Sequence, residues 1–322
     1  MSGKKGLILG LELSGNKVSA AIVNPYHKII GRASRTTPSA RSEGVLTDEI
    51  ITCAEDALKA ASVTDKDIQA VGMGCPGPLN PETGVIIRTR RSALKNYPVG
   101  QILAKHFGVR VTIDNNVHMA VYGEFRAGAA LGCRNVVGLW IGSSIGGCVI
   151  RDGEVVLGAN RNAGDVGHMV LDASLRMKDP RRGTFDSECS KAAMERFVKR
   201  ALKKGKKSKL RKYIKGPTTK LKNSDLAKAF EKGDEVAATV VQHSARYCGI
   251  AVANLFNVLS PEVFILGGSV VTKLGDAYVA RVQRAAAPYV YSTDLAPVRI
   301  VRSRLGNDAG VLGAAIAAWD RS

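Results

Sequence analysis

The sequence of 322 residues is poor in aromatic residues, at 5%, and has neither a long apolar run nor closely spaced cysteines. A membrane-spanning helix needs about 20 consecutive apolar residues, and no segment approaches that length. The first apolar run begins at Gly6 and carries Glu12, which favours a strand over a signal peptide. The cysteines form no C-x-x-C pair and no regular framework, which indicates a reducing compartment and predicts a cytoplasmic protein without membrane contact. They are Cys53, Cys75, Cys133, Cys148, Cys189 and Cys248.

Acidic residues are also scarce, since 47 Lys and Arg against 28 Asp and Glu give a net charge of +19. The excess is concentrated from Lys191 to Lys222, where Glu195 is the single acid. This block could contact nucleic acid or polyphosphate, although it has few aromatic residues among its charges, which predicts weak, salt-dependent binding. It could equally be the solvated face of helices, because apolar residues recur there at helical spacing. These are Phe197, Val198, Leu202, Leu210, Tyr213 and Ile214.

The chain length suits two domains, and an internal repeat supports this division. Residues 6–33 and 135–159 share one pattern of apolar run, Gly-rich turn, apolar run, short turn and apolar run, which predicts two β-meanders. Helical periodicity follows in residues 46–62 and 234–260, and each helix precedes a further strand pattern. We therefore expect two similar α/β domains, with mixed sheets flanked by helices and ligands in a cleft between them.

The glycine-rich turns carry the most specific motifs. Residues 12–17 read ELSGNK and residues 142–147 read GSSIGG, and such turns let backbone N–H groups approach a phosphate. Further motifs follow in order: GCPGPLNPETG from Gly74, IDNNVHMAVYGE from Ile113 and GANRNAGDVGHM from Gly158. The chain closes with PEVFILGGSVV, which starts at Pro261, and GNDAGVLGAA, which starts at Gly306.

Together these motifs resemble the ROK family (repressors, open reading frames, kinases) over essentially the whole chain. The resemblance implies two actin-like, ribonuclease H-like α/β domains of the sugar kinase superfamily, with an interdomain cleft. We expect the first domain to span residues 1–118 and the second residues 119–307, with a helix of about 308–321 packing back on the first. A homodimer is implied by the resemblance alone.

The resemblance also implies a sugar ligand and allows ATP with Mg²⁺. It places substrate contacts at Asn115, Asp165, His168 and Asp186. The positions that match the family's nucleotide loops are Glu12, Ser14, Gly15, Asn16, Lys17, Ser143, Ser144, Gly146, Gly147, Gly267 and Gly268.

One departure from the family bears directly on catalysis. The family's Asn-Asp pair, whose aspartate takes the proton from the attacking hydroxyl, falls on Asn115 and Asn116. An amide is not a base at neutral pH, and general-base catalysis is worth roughly 10² to 10⁴ in rate. The sequence therefore predicts weak or no kinase activity, and a role as a sensor or regulator. The alternative is an active hexose or N-acetylhexosamine kinase with a relocated base, either His118 or Asp114, which would lie about 6.5 Å from Asn116 along an extended strand.

Other polar positions differ from the family as well. Glu12 stands for an aspartate, and Asp165 and Asp186 stand for glutamates, so each carboxylate is displaced by one methylene. A misplacement of about 1 Å can cost about 10²-fold in an aligned site. Serines replace family glycines, which would crowd a phosphate or force strain at positive φ unless they are ordinary turn serines. They are Ser14, Ser144 and Ser269.

The family's zinc signature, C-x-C-G-x-x-G-C-x-E, falls on residues 177–186. Its cysteine positions hold Met177, Asp179 and Thr184, and neither methionine nor threonine supplies a thiolate. We expect no structural zinc. His168, a zinc ligand and sugar contact in zinc-bearing members, would then lack the orientation that the metal provides.

Three arginines stand where the family's sugar loops have other residues. Arg90 and Arg91 replace part of a P-N-L-P-G-W motif, and Arg161 replaces a glycine. Because guanidinium groups suit phosphate and carboxylate, these residues predict an anionic ligand such as a sugar phosphate or sugar acid. Alternatively, the arginines face solvent or pair with Glu82 and Asp165.

Overall fold

The structure is a computed structural model that describes residues 6–15, 17–37, 43–89, 94–214, 216, 218–292, 294 and 297–321. Its strands are β1 (Leu7–Ser14), β2 (Lys17–Val23), β3 (Ile29–Thr36), β4 (Ile68–Cys75), β5 (Leu79–Asn80), β6 (Val85–Arg88), β7 (Lys95–Tyr97), β8 (Arg110–Asn115), β9 (Val136–Ile141), β10 (Ile145–Arg151), β11 (Glu154–Val155), β12 (Val263–Gly267) and β13 (Ile300–Arg302). Its helices are α1 (Glu43–Ala60), α2 (Val99–Phe107), α3 (Asn116–Ala127), α4 (Ala173–Lys178), α5 (Phe185–Cys189), α6 (Lys191–Lys203), α7 (Asn223–Glu231), α8 (Glu235–Leu259), α9 (Gly268–Leu274), α10 (Asp276–Ala286) and α11 (Ala309–Asp320). Short 3₁₀ turns include Val166–His168, Lys209–Lys212 and Gly306–Asp308.

The chain divides into two compact units. The first contains Met1–Gly132, Leu157–Asn162 and Asn307–Ser322, and the second contains Cys133–Val156 and Ala163–Gly306. The boundary predicted after residue 118 falls inside α3. The first unit continues beyond that point because α3 packs along α11.

The first unit is built on a five-stranded sheet in the order β3-β2-β1-β4-β8. The first three strands form the predicted antiparallel meander, and β4 and β8 run parallel to β1. Helix α1 packs on β2 and β3, α2 packs on β8, and α11 lies across β1 and β4. The large apolar side chains of the meander and of α1 form the core between them.

Helix α11 lies unusually close to the sheet and to α3, and glycines allow this approach. A Cβ at Gly72 in β4 would lie 1.8 Å from the carbonyl oxygen of Ala314. A Cβ at Gly313 in α11 would lie 1.7 Å from the carbonyl oxygen of Met119 in α3. Because no side chain other than hydrogen fits these contacts, glycine at both positions determines where α11 docks.

The second unit repeats this topology in a sheet of order β11-β10-β9-β12-β13. Strands β9 to β11 form the second predicted meander, and β12 and β13 are parallel to β9. Its core contains the apolar stripe of the basic segment, since Val198, Leu202 and Leu210 are buried and Phe197 packs against them. The sequence-based predictions of the meanders, of α1 and α8, and of a buried stripe within residues 191–222 are confirmed. In the part of the chain that the structure describes, no helix is both long and apolar enough to cross a membrane.

Candidate functional site

The candidate site residues of the first unit lie where its parallel strands end. The register places Glu12 of β1 beside Gly74 of β4, and Gly74 beside Asp114 of β8. Cys75 pairs with Asn115 one residue further. Because parallel strands bring their carboxyl ends to one edge, residues that are distant in sequence meet there, at the usual ligand-binding edge of an α/β sheet.

Asn115 and Asn116 form the junction between strand and helix. Asn115 is the N-cap of α3, where its Oδ1 accepts a hydrogen bond of 2.8 Å from the backbone N–H of Val117. Its Nδ2 faces Gly77, since a Cβ added to that glycine would lie 3.4 Å from this nitrogen. Asn116 is the first residue of the helix, close above Gly74. Strand β8 therefore ends at Asn115, and Asn116 belongs to the helix.

Asp114 and His118 form a buried pair across the same junction. Asp114 Oδ1 lies 3.0 Å from His118 Nδ1 and also accepts a 2.6 Å hydrogen bond from the backbone N–H of Asn115. The two residues are only 5% and 7% exposed. Asp114 lies in β8 and His118 in the first turn of α3, so the junction between strand and helix brings the two side chains together.

Glu12 faces the first turn of α11. A Cβ at Gly310 would lie 2.3 Å from Glu12 Oε2, so the longer side chain at position 12 fits because residue 310 is glycine. Burial of the carboxyl raises the pKa of Glu12 to about 7, although the charge of Lys17 opposes the shift. Gly310 belongs to the GNDAGVLGAA motif, but its role in seating Glu12 could not be read from the sequence.

The first glycine-rich turn joins β1 to β2. Ser14 pairs with Lys17 across the turn, and Gly15 has a φ of 63°, a left-handed conformation that favours glycine. Asn16, a predicted nucleotide contact, lies outside the described residues. The predicted strain at the serines is absent, because Ser14, Ser144 and Ser269 all have negative φ.

The second glycine-rich turn, residues 142–147, joins β9 to β10 in the second unit. Asp186 Oδ1 accepts a 2.7 Å hydrogen bond from the backbone N–H of Ile145. The carbonyl oxygen of Gly142 accepts a 2.9 Å bond from the backbone N–H of Lys191. Ser143 and Ser144, which lie between these two hydrogen-bonded residues, are exposed. Asp186, expected to contact substrate, thus holds the backbone of the turn.

Asp165 precedes a short 3₁₀ turn that ends at His168 and packs under the same loop. A Cβ at Gly167 would lie 2.3 Å from the carbonyl oxygen of Ile145, and one at Gly147 would lie 2.7 Å from Val166. His168 Nε2 lies 3.8 Å from Asp165 Oδ2, and both side chains are 66% exposed. The structure therefore brings Asp165, His168 and Asp186 together around the turn that carries Gly146 and Gly147.

The predicted nucleotide loop follows β12 and adjoins this turn. Gly268 has a φ of 88°, and its Cβ would lie 2.6 Å from the carbonyl oxygen of Ile141. Gly267 packs against the ring of Trp140. Ser269 Oγ accepts a 3.0 Å hydrogen bond from Asn223 Nδ2 of α7, a partner that sequence analysis missed.

The arginines expected at the site have different outcomes. Arg90 and Arg91 lie outside the described residues. Arg161 adopts a left-handed φ of 56° and forms an ion pair with Glu82. Its charge is thus partnered within the first unit, as the alternative reading of the sequence expected.

The repeated meander, the parallel strands beside it and the glycine-rich turns define a protein of two α/β units with the actin-like fold. A structure of a ROK family glucokinase from Streptomyces griseus in complex with glucose and AMPPNP superimposes with a TM-score of 0.83 and 22% identity, covering 98% of this chain and 100% of that one. A ROK family transcriptional regulator, a homologue of the E. coli MLC protein, superimposes with a TM-score of 0.84 and 20% identity, covering 97% of this chain and 78% of that one.

Sequence comparison gives the family. A glucokinase from Halalkalibacterium halodurans is 27% identical over 310 residues, which are 95% of this chain and 92% of the relative. The ROK family model matches residues 8–321. The chain belongs to the ROK family, and its relatives include both sugar kinases and regulators.

Proposed function

We propose that this protein binds a sugar or sugar derivative together with ATP, and that it transfers phosphate weakly or not at all. The observation that carries the proposal is Asn116 at the first residue of α3, directly after Asn115 at the end of β8. In the family motif this position holds the carboxylate that accepts the proton of the attacking hydroxyl. An amide at this helix start can donate and accept hydrogen bonds but cannot take up that proton.

Sugar binding needs directional polar groups, and several candidates remain. In the first unit, Asn115 keeps its Nδ2 for a hydroxyl group while its Oδ1 caps the helix. In the second unit, Asp165 and His168 are exposed next to the turn that Asp186 holds. Each of these sets offers hydrogen bonds to sugar hydroxyls, and such recognition would not depend on a catalytic base.

The ATP and Mg²⁺ proposal is supported by retained glycines and by Lys17. Gly15 and Gly268 have the positive φ that favours glycine, and a Cβ at Gly147 would lie 3.0 Å from the carbonyl oxygen of Gly164. Glycines in such turns let backbone N–H groups approach a phosphate closely. Glu12 is the carboxylate in the family's Mg²⁺-supporting position. Bound Mg²⁺ would supply charge neutralisation on the phosphates. Ionised Glu12 is needed for that role, so its raised pKa of about 7 favours metal binding at alkaline pH.

A relocated base is the alternative within the same fold. Asp114 and His118 form a pair with Oδ1 and Nδ1 3.0 Å apart, an arrangement in which a carboxylate orients an imidazole. Both side chains are buried, so the pair equally serves to lock the start of α3. Activity that depends on His118 would support the relocated base.

The decisive experiment is a coupled ADP-release assay with glucose, mannose, fructose and N-acetylated hexosamines. Wild-type protein is expected to turn over at least about 10²-fold more slowly than an active relative, and Asn116→Asp is expected to raise its rate by roughly 10² to 10⁴. Asn116→Ala is the matched control and should stay inactive. Wild-type turnover of about 1 to 100 s⁻¹ would contradict the proposal. If His118→Gln then abolished that activity, the relocated base would be the better account.

An anionic sugar derivative remains a further candidate ligand. With Arg161 paired to Glu82, this candidate depends on Arg90 and Arg91. A calorimetric comparison of glucose, glucose 6-phosphate and gluconate tests it, with Arg90→Ala/Arg91→Ala as the variant. Cytoplasmic location and a homodimer stay predictions from the sequence and the family.

A further inference from the structure

The segment that carries the zinc signature in other ROK proteins does not fit a zinc ion in this chain. Met177 is 87% exposed, Asp179 pairs with Arg181, and Thr184 Oγ1 caps α5 through the N–H of Ser187. Among the described residues, no group of three or more His, Cys, Asp or Glu side chains could hold a metal ion. The segment nevertheless has a defined shape, a hairpin closed by a bridge between Val170 and Thr184.

A buried carboxylate lies at the base of this hairpin. Glu188 of α5 is fully buried, and Arg182 donates a 2.9 Å hydrogen bond to its Oε2. His243 Nε2 of α8 lies 3.1 Å from the same oxygen. Oε1 accepts bonds from the backbone N–H of Gly183 at 3.1 Å and from Ser187 Oγ at 3.2 Å. A buried carboxylate is strongly unfavourable unless it is charge-paired and hydrogen-bonded, and here both oxygens are satisfied.

The protonation of this group follows from its contacts. Burial alone would raise the pKa of Glu188, but the hydrogen bonds from His243, Arg182 and Gly183 N–H lower it to about 2. The carboxylate therefore stays ionised at neutral pH and keeps the guanidinium of Arg182 as its counter-ion.

The other arm of the hairpin is tied to α8 one turn further along. Tyr247 donates a 2.9 Å hydrogen bond from its hydroxyl to Asp172 Oδ2, and Asp172 caps α4 through the N–H of Leu175. The rings of His243 and Tyr247 are 4.8 Å apart. Phe197 of α6 packs against His243 and lies under the guanidinium of Arg182. Helix α8 thus holds both arms of the hairpin from one face.

Backbone hydrogen bonds connect this cluster to the candidate sugar-binding residues. Phe185 N–H donates to the carbonyl oxygen of Met169 at 2.9 Å. Met169 directly follows His168, and Phe185 directly precedes Asp186, which holds the turn at Ile145. A displacement of the hairpin base would therefore move His168 and Asp186 together.

We propose that Glu188, Arg182, His243, Tyr247 and Asp172 form a metal-independent clamp that replaces the zinc site of the family. Glu188 acts as a positioning residue for His168 and Asp186. The clamp itself is a property of the second unit. Its effect on sugar affinity rests on the proposed function.

The first test concerns the metal and local order. Purified wild-type protein is expected to contain well under stoichiometric zinc, and EDTA should leave its melting temperature unchanged. In Glu188→Gln, hydrogen exchange of residues 165–172 and 182–187 should accelerate at least about tenfold, because removing one partner of a buried ion pair shifts a local equilibrium by more than that factor. Tyr247→Phe should accelerate exchange mainly in residues 170–176, and it remains informative if Glu188→Gln does not fold.

The matched control is Glu195→Gln. Glu195 is the acid of α6 that pairs with Lys199 and accepts the N–H of Leu221, so its loss removes a hydrogen-bonded but less buried ion pair away from the hairpin. This variant should leave exchange in residues 165–172 unchanged. Stoichiometric zinc, melting that responds to EDTA, or equal exchange in the Glu188 and Glu195 variants would overturn the clamp.

The second test measures affinity for glucose and N-acetylglucosamine by calorimetry at a temperature where every variant is folded. Glu188→Gln should bind roughly tenfold more weakly, the loss typical when an outer group that orients a binding side chain is removed. Glu195→Gln should bind as wild type does. Unchanged affinity in Glu188→Gln would reject the positioning role. If wild-type protein binds neither sugar, the proposed function fails, and the zinc and exchange measurements still decide the clamp.

Discussion

At the scale of single residues, the proposed function depends on side chains whose length or charge differs from the family pattern. Asn116 keeps the size of an aspartate without its proton affinity. Glu12 keeps the charge of an aspartate with greater reach, and it fits because Gly310 leaves room against α11. The result is a carboxyl group that is buried beside a helix start and holds its proton to a pKa of about 7.

This raised pKa predicts a pH dependence of stability. The folded protein keeps the proton of Glu12 above the ordinary pKa of 4.5, so the free energy of unfolding should fall as pH rises from about 4.5 to about 7 and then level off. In Glu12→Gln this decline should be absent. Between pH 4 and pH 8, the wild-type protein should therefore lose up to about 3 kcal/mol more of its free energy of unfolding than the variant does. Urea unfolding at several pH values measures it.

The control for that experiment is Glu235→Gln, a change at an exposed carboxylate in the second unit. It should follow the wild-type curve. Parallel pH curves for wild type and Glu12→Gln would show that the Glu12 carboxyl is solvated.

At the scale of elements, α3 and α11 pack together through glycines, although glycine has a low helix propensity. Glycine lowers helix stability by roughly 1 kcal/mol relative to alanine. Gly123 of α3 and Gly313 of α11 nevertheless lie in helices, because each faces the backbone of the other helix. A Cβ at either position would lie less than about 3 Å from a carbonyl oxygen of that helix. The close approach matters for the site because α3 begins at Asn116 and α11 begins beside Glu12.

Gly313→Ala is therefore expected to destabilise the protein by about 1 to 3 kcal/mol or more, because its Cβ would meet the carbonyl oxygen of Met119 at 1.7 Å. Gly44→Ala in α1 is the matched control, since nothing lies within 4 Å of its Cβ. That change should be neutral or stabilising by up to about 1 kcal/mol. Equal effects of the two substitutions on urea unfolding would contradict this account of α11.

At the scale of the whole molecule, the net charge of +19 is carried unevenly. The apolar stripe of residues 191–222 is part of the core, so the segment is structural. Part of this charge lies at the end of α6 and in the connection after it, where Lys203, Lys204, Lys206 and Lys207 are all exposed. This surface has the charge for a polyanion contact, but it has no row of aromatic rings on which bases could stack.

We expect binding to a mixed-sequence oligonucleotide and to inorganic polyphosphate with a Kd no lower than about 10⁻⁶ M at physiological salt. The affinity should fall steeply as the salt concentration rises. Lys206→Glu/Lys207→Glu should weaken binding at low salt by at least about tenfold. Lys66→Glu/Lys105→Glu makes the same change of net charge on the first unit and should have a smaller effect. Tight, sequence-selective binding in a fluorescence titration would contradict this expectation.

Much of the fold could be predicted because its signals are local. Alternation in residues 6–33 and 135–159 identifies both meanders, and helical periodicity identifies α1 and α8. The glycine-rich turns and the order of the motifs identify the family, which matches residues 8–321. The assignment of Asn116 to the family's catalytic position stays a prediction from the sequence, because it rests only on an ungapped motif and the chemistry of an amide.

Tertiary structure decided what each charged side chain contacts. The sequence by itself determined that carboxylates stand at positions 12, 186 and 188, but not that Glu12 faces Gly310, that Asp186 holds Ile145, or that Glu188 meets His243. Glu188 and His243 are 55 residues apart, and no local pattern encodes such a contact. The physical reason is that a buried charge is tolerated only where specific partners surround it, and those partners come together only when distant elements pack.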